Sequence, residues 1–179
     1  VAPYLLYELD QPAAGAEDSV WSRLFATDPY LPETWSKVIA QQRELAVYEV
    51  NLHTTRGNAN IALRNQVVTG AAAGSALAKR LLQGINQGIR RQCLWNLAQY
   101  DTYIGDQGSE LLKLWGVTRD LGATLRLRPT GLALALLNQA LPGKVHALTI
   151  TGESPGARAW EIAGITRYNQ LLDKLGRRQ

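Results

Sequence analysis

Apolar residues recur along most of this chain at intervals of three and four, and the longest such stretch spans residues 57–100. On a helix turning about 100° per residue, Leu63, Val67, Ala71, Gly74, Ala78, Leu81, Ile85 and Ile89 fall within roughly 80° of one another. Lys79, Arg80, Arg90 and Arg91 fall on the opposite side, while Gly70, Gly74, Gly84 and Gly88 line one edge of the apolar stripe. Each glycine costs a helix interior about 1 kcal/mol relative to alanine. Close approach of a second helix, where no Cβ intervenes, is the expected compensation. The pattern predicts a long central helix, continuous or gently kinked, with a glycine notch for helix packing. A break near Gly84 or Gly88 is the competing expectation.

The same reading assigns the flanking elements. Residues 1–9 form a short apolar run with Pro3, expected as an extended arm or edge strand, and residues 11–16 a loop. Asp18 or Ser19 can cap a short helix that ends before Pro29. Pro32 and Glu33 open a second helix, which Trp35, Val38, Ile39, Leu45, Ala46, Glu49 and Leu52 extend to His53. Residues 54–60 then turn it into the central helix as an antiparallel helical hairpin. Beyond Tyr100 a polar loop leads to a helix begun by Ser109-Glu110, with Leu111, Leu112, Leu114, Trp115, Val117 and Leu121 apolar, stopped before Pro129. Thr130 caps an uninterrupted apolar run to Leu141, expected as a central buried helix. Residues 144–151 are the best strand candidate, a partner for the N-terminal arm, and residues 157–175 an amphipathic helix.

The fold class expected is therefore mostly α: a bundle of five to six helices around a long Gly-notched central helix, with room for a small two-stranded β element. One helical domain spans 1–179, with 1–16 as arm or loop and 17–176 as helical body. Its core is expected to draw on Trp21, Leu24, Trp35, Leu45, Val67, Leu81, Ile85, Leu112, Trp115, Leu134, Leu137, Trp160 and Leu171.

Composition supports a packed core, since 46% of residues are apolar, and these are mainly Ala, Leu, Val and Ile, with one Phe and no Met. The Ala/Arg/Gly/Leu flavour suggests a GC-rich bacterial or phage source. Cys93 is the only cysteine, so no internal disulfide can form, and a small buried hydrophobe is its expected role. The longest apolar run, residues 67–78 between Arg64 and Lys79, is too short to span a bilayer, so no transmembrane segment is expected. The chain opens at Val1 without a signal peptide, as a processed form, a form lacking its initiator Met or a trimmed chain would.

Charge changes the picture more. Residues 1–55 carry a net −5, residues 56–128 a net +6 and residues 129–179 a net +3, with no acid between Asn51 and Tyr100. Such polarity suits an anionic partner, or a head-to-tail contact of acidic and basic surfaces. Lys79, Arg80, Arg90, Arg91, Arg126 and Arg128 are the candidate contacts to a protein partner or to nucleic acid. No helix-turn-helix, zinc finger or stacking-aromatic motif accompanies them.

Catalytic chemistry finds little support. Glu44, Glu49 and His53 could be imagined around a metal, but a helical carboxylate site needs Glu-x-x-His pairs on other helices. His53 and His146 are the only histidines, and no Gly-x-Ser-x-Gly elbow exists. Asp101 and Asp106, with Tyr100 and Tyr103, could supply a glycosidase-like acid and base, although loop capping accounts for them. No phosphate-cradling glycine loop occurs. No catalytic, metal or cofactor-binding residue is assigned, and no cofactor. The function expected is a non-enzymatic assembly or interaction subunit of a bacterial or phage machine, with protein association or self-association as its activity. A sequence-independent nucleic-acid module and a small hydrolytic or lytic enzyme with loop carboxylates are the alternatives.

Overall fold

The computed structural model describes residues 1–16, 18–105 and 108–141. Among them are five helices and four strands: α1 (Asp18–Leu24), α2 (Tyr30–Ala40), β1 (Ala46–Val50), α3 (Ile61–Thr69), α4 (Ala71–Asn86), β2 (Arg91–Leu94), β3 (Tyr100–Ile104), β4 (Glu110–Leu114) and α5 (Pro129–Ala140). The protein is mixed α/β, with one parallel and one antiparallel strand pair, which corrects the mostly α, all-helical bundle predicted above.

The correction begins at Ala40. The helix expected to reach His53 stops there, and Gln42 turns the chain with φ of 53°. Leu45, Val47 and Val50 are buried, the last two completely, because 46–50 is a strand. It pairs in parallel with β2, Ala46 opposite Arg91 and Val47 opposite Gln92. On the other side the N-terminal arm runs extended, as expected, but pairs with 46–59. The Tyr48 N–H donates to the Val1 carbonyl at 3.0 Å, Leu5 N–H to Asn51 at 2.9 Å, and His53 N–H to Leu5 at 3.1 Å. Parallel strands cannot be joined by tight turns, so α1–α2 and α3–α4 serve as the crossovers of an arm–β1–β2 ribbon. Buried parallel strands read as near-continuous apolar runs without clean alternation. That is how Leu45, Ala46, Glu49 and Leu52 came to imitate a helical period.

The predicted central helix is two helices. The Asn60 side chain caps α3 by accepting the Leu63 N–H at 2.8 Å. Gly70 then adopts extended backbone (φ −72°, ψ 160°), and α4 starts anew. At the far end Gly88 takes φ of +83°. Its N–H donates to the Ile85 carbonyl at 2.9 Å and the Ile89 N–H to Gly84 at 3.0 Å, a Schellman stop. Residues 91–94 leave as β2. Of the four glycines, Gly74 marks the close approach of α5: a Cβ there would collide with the Pro129 carbonyl, whereas one at Gly88 would make only ordinary contact with Trp35 of α2. A Cβ at Gly84 would strike the Gln92 side chain.

The polar loop and helix expected after Tyr100 are instead the β3–β4 hairpin, in register from Tyr100–Leu114 to Ile104–Glu110. Leu, Glu and Lys favour helix in isolation, but here Leu112 and Leu114 alternate inward beneath a paired strand. α5 forms where expected, yet only Thr130 and Gly131 are fully buried in it. Leu134 and Leu137 pack against the core, while Leu132 is exposed. The core itself is built from Leu9, Leu24, Val47, Val50, Val67 and Leu77, with Trp21, Trp35 and Trp115 at its rim. Each fully buried aliphatic side chain contributes about 1.5–3 kcal/mol. The strand and helix predicted over 144–151 and 157–175, with Trp160 and Leu171, lie outside the described residues. Among the described residues no helix is long and apolar enough to cross a membrane.

Candidate functional site

Two non-glycine residues on neighbouring segments hold left-handed backbone: Leu6 with φ of 47° and Thr54 with φ of 48°. Such a conformation is uncommon for any side chain and an outlier for a β-branched one, costing on the order of 1–3 kcal/mol. A hydrogen bond from the Thr54 N–H to the Leu6 carbonyl at 2.8 Å ties the two together. Arg64, 2% exposed, holds the loop behind them. Its Nε donates to the Ala59 carbonyl at 2.8 Å, Nη1 to Arg56 at 2.9 Å and also to Thr54, and Nη2 to Gly57 at 2.7 Å. Burial lowers the Arg64 pKa, yet four carbonyls still solvate the charge. The sequence motif GNAN before α3 is thus an arginine-caged loop.

The two turns set the residues beside them, Tyr7 after Leu6 and His53 before Thr54, side by side. The Tyr7 ring stacks on His53 at 4.9 Å and 25°, and Tyr4 covers the same imidazole at 4.5 Å and 57°. The Arg56 guanidinium lies 5.2 Å from the Tyr7 ring centre. His53 Nδ1 shares a hydrogen bond with the Thr55 hydroxyl at 2.8 Å. Burial pushes the His53 pKa down, against the opposing pull of the Glu49 charge. The Glu49 carboxylate lies within electrostatic reach of the Tyr4 and Tyr48 hydroxyls. Burial and this carboxylate hold the Tyr4 phenol far above its ordinary range, and the carboxylate raises Tyr48 as well.

Across a narrow cleft stands a second aromatic pair. Trp95 Nε1 donates to the Tyr100 hydroxyl at 3.1 Å, with the rings edge to face at 6.1 Å. Asn51 links this side to β1, its Nδ2 donating to the Trp95 carbonyl at 2.5 Å. Tyr4, Asn51, His53, Trp95, Tyr100 and Trp115 line the cleft, whose volume is about 10 Å³. That is room for one water and none for an organic substrate. What the arrangement offers is a surface: Tyr7 is 42% exposed, Tyr48 64%, Trp95 44% and Tyr100 37%.

The predicted contact residues have separate fates. Lys79 donates to the Phe25 carbonyl at 2.8 Å, and Arg80, 7% exposed, is ion-paired with Asp28. Burial lowers the Arg80 pKa, opposed by that carboxylate. Asp28 also accepts the Tyr30 and Leu31 N–H groups at 2.8 and 3.1 Å, capping α2. Both α4 cations therefore face the α1–α2 connection. Arg91 pairs with Glu44 at 2.7 Å on the surface, and Arg90 is exposed. Arg126 is exposed, and Arg128 lies over the Trp115 ring at 4.1 Å. Gly70 is the α3–α4 break, Gly74 the α5 notch, Gly84 a seat for Gln92 and Gly88 the α4 stop.

Asp101 stands opposite Lys113 in the hairpin, and Asp106 lies outside the described residues. Cys93 is exposed on β2, which corrects its expected burial. Among the described residues no group of three His, Cys, Asp or Glu side chains is placed to hold a metal. Tyr4, Tyr7, Tyr48 and Trp95 were missed from the sequence because they share no period. For the three tyrosines the signal was aromatic density in the acidic third, where four of the seven tyrosines lie. Comparison with protein-family models, curated proteins and solved structures gives no match for this chain.

Proposed function

We propose that the chain is a non-enzymatic interaction subunit of a larger assembly, binding a protein partner through the aromatic face of Tyr7, Tyr48, Trp95 and Tyr100. The observation that carries this reading is the exposure of rings of which three are already ordered, Tyr7 by its stack on His53 and Trp95 and Tyr100 by their shared hydrogen bond. Tyrosine and tryptophan dominate protein interfaces because they offer large amphipathic area with few rotamers to freeze. A pre-ordered set lowers the entropy lost on association. Glu49 supplies this face with a carboxylate beside Tyr48, so a partner that brings a basic group to an apolar centre suits it. The basic helix flank contributes less to this reading than the sequence suggested, since Lys79 and Arg80 bond within the chain.

Light scattering coupled to size-exclusion chromatography, at low and high salt, tests the proposal alongside affinity capture. The wild-type chain self-associates or retains a partner that a Tyr48→Ala/Trp95→Ala variant does not. A monomer at every concentration and salt, capturing the same proteins as the variant, would overturn it.

A second reading rests on the same rings. Exposed tyrosines and Trp95, with Arg56 over the Tyr7 ring, can stack on unpaired bases. It predicts binding to random single-stranded nucleic acid that falls steeply with salt. No binding at low salt ends it.

A further inference from the structure

Residues 117–119 and 126–128 form a short antiparallel ribbon ahead of α5. The Arg119 N–H donates to the Arg126 carbonyl at 2.6 Å, the Arg128 N–H donates to Val117 at 2.7 Å, and Thr118 bridges Leu127 between them. This register sets Arg119 directly opposite Arg126, with Arg128 two residues further along the same face. Like charges directly opposite one another destabilise a strand pair. Nothing among the described residues relieves them: no ion pair reaches Arg119, Arg126 or Arg128.

Asp120, the carboxylate next to Arg119 in sequence, is occupied. Asp120 accepts both the backbone N–H and the hydroxyl of Thr124, the latter at 2.7 Å, and these bonds hold its pKa down. It closes the turn between the two ribbon strands. Arg128 is fixed by Trp115 beneath it and by a 3.4 Å bond from Nη2 to the Gln99 side chain. Its Nε is buried and finds no hydrogen-bond partner among the described residues. Burial first, and the charge of Arg119 second, lower the Arg128 pKa, which places the two guanidinium groups within electrostatic reach. α5 begins at the next residue without a capping side chain, so its positive end adds to the same field.

The geometry points to an oxyanion site, in which Arg119, Arg126 and Arg128 together bind a phosphate group. Guanidinium forks suit tetrahedral oxyanions because each presents two parallel N–H donors. A dianion removes the cross-strand repulsion as it binds, so occupancy stabilises the fold. The site shares Trp115 with the cleft beside the aromatic face and uses none of that face's exposed rings.

Inorganic phosphate, titrated into the full chain at constant ionic strength with acetate as the control anion, is the probe. Thermal unfolding is the readout. Phosphate raises the wild-type midpoint saturably and acetate does not. Arg119→Gln and Arg126→Gln each weaken the apparent phosphate affinity by about tenfold or more, the loss of one charge-assisted hydrogen bond. Arg126→Glu separates this from a structural role: it raises the midpoint without phosphate, by pairing with Arg119, and abolishes the phosphate response. Equal phosphate responses in wild type and all three variants, or equal effects of phosphate and acetate, overturn the proposal.

Discussion

Helix α4 and the ribbon formed by the N-terminal arm with β1 both carry polar groups beside a buried apolar face, and they direct those groups oppositely. α4 turns them inward: Lys79 reaches the Phe25 carbonyl, Arg80 pairs with Asp28, and Gln83 donates to the Asp28 carbonyl at 3.0 Å. Its glycine edge is filled at Gly74 by the start of α5 and at Gly84 by Gln92. The ribbon keeps its backbone groups internal and leaves its aromatic side chains outside. Amphipathic patterning shows which positions are covered. It does not show whether the cover is a partner or a later part of the same chain, and for α4 it is the same chain.

The sharpest way to break this contrast is to empty the α4 ion pair. Arg80→Ala strands Asp28 in a buried setting and lowers stability by about 3–5 kcal/mol, measured by urea unfolding. A loss below 1 kcal/mol, the range of an exposed pair, would place Arg80 on the surface as the sequence reading had it. Next in size, Gly74→Ala forces a methyl group against the Pro129 carbonyl and costs about 1–3 kcal/mol, although alanine alone favours helix. Stabilisation by this substitution would mean that α5 does not cross there.

How much of this was legible follows from where each element's partner lies. α1, α5, the Asn60 cap and the Gly88 stop depend on neighbours in sequence, although α5 starts at Pro129 with no side-chain cap, and Thr130, expected as its cap, lies inside the helix. β1 depends on Arg91 and Gln92, more than forty residues away, and on the arm, so Val47 and Val50 could equally have lain on a helix face. β4 is written in helix formers, and only its pairing with β3 makes it a strand. The candidate site was harder still. Tyr7 meets His53 because Leu6 and Thr54 take left-handed backbone, which neither residue type foretells. The Arg119–Arg126 ribbon did have a signal, since the acid and glycine of Asp120 and Gly122 lie in a turn between two basic residues.

A smaller effect tests the ribbon side. Because His53 has a lowered pKa in the folded chain, the unfolded state binds its proton first as pH falls. Its contribution to stability is therefore complete well above pH of about 6.5 and is lost as pH drops below that value toward the folded pKa. His53→Gln flattens this part of the stability–pH curve relative to wild type, read by urea midpoints across the range. Identical slopes would show an imidazole as well solvated folded as unfolded. Smallest of all, Tyr48→Ala changes stability by no more than about 0.5 kcal/mol, because its side chain is exposed. A larger loss would make Tyr48 part of the packing and not of a contact surface.

An interaction role for the aromatic face requires that these rings become covered when the protein associates. Hydroxyl-radical footprinting of the full chain, dilute and then at concentrations or with a captured partner where light scattering shows assembly, reads this residue by residue. Protection of Tyr7, Tyr48, Trp95 and Tyr100, with Tyr30 and Tyr103 unchanged, is the predicted result. Protection confined to Tyr30 and Tyr103, with the four rings of the ribbon face modified equally in both states, would contradict it.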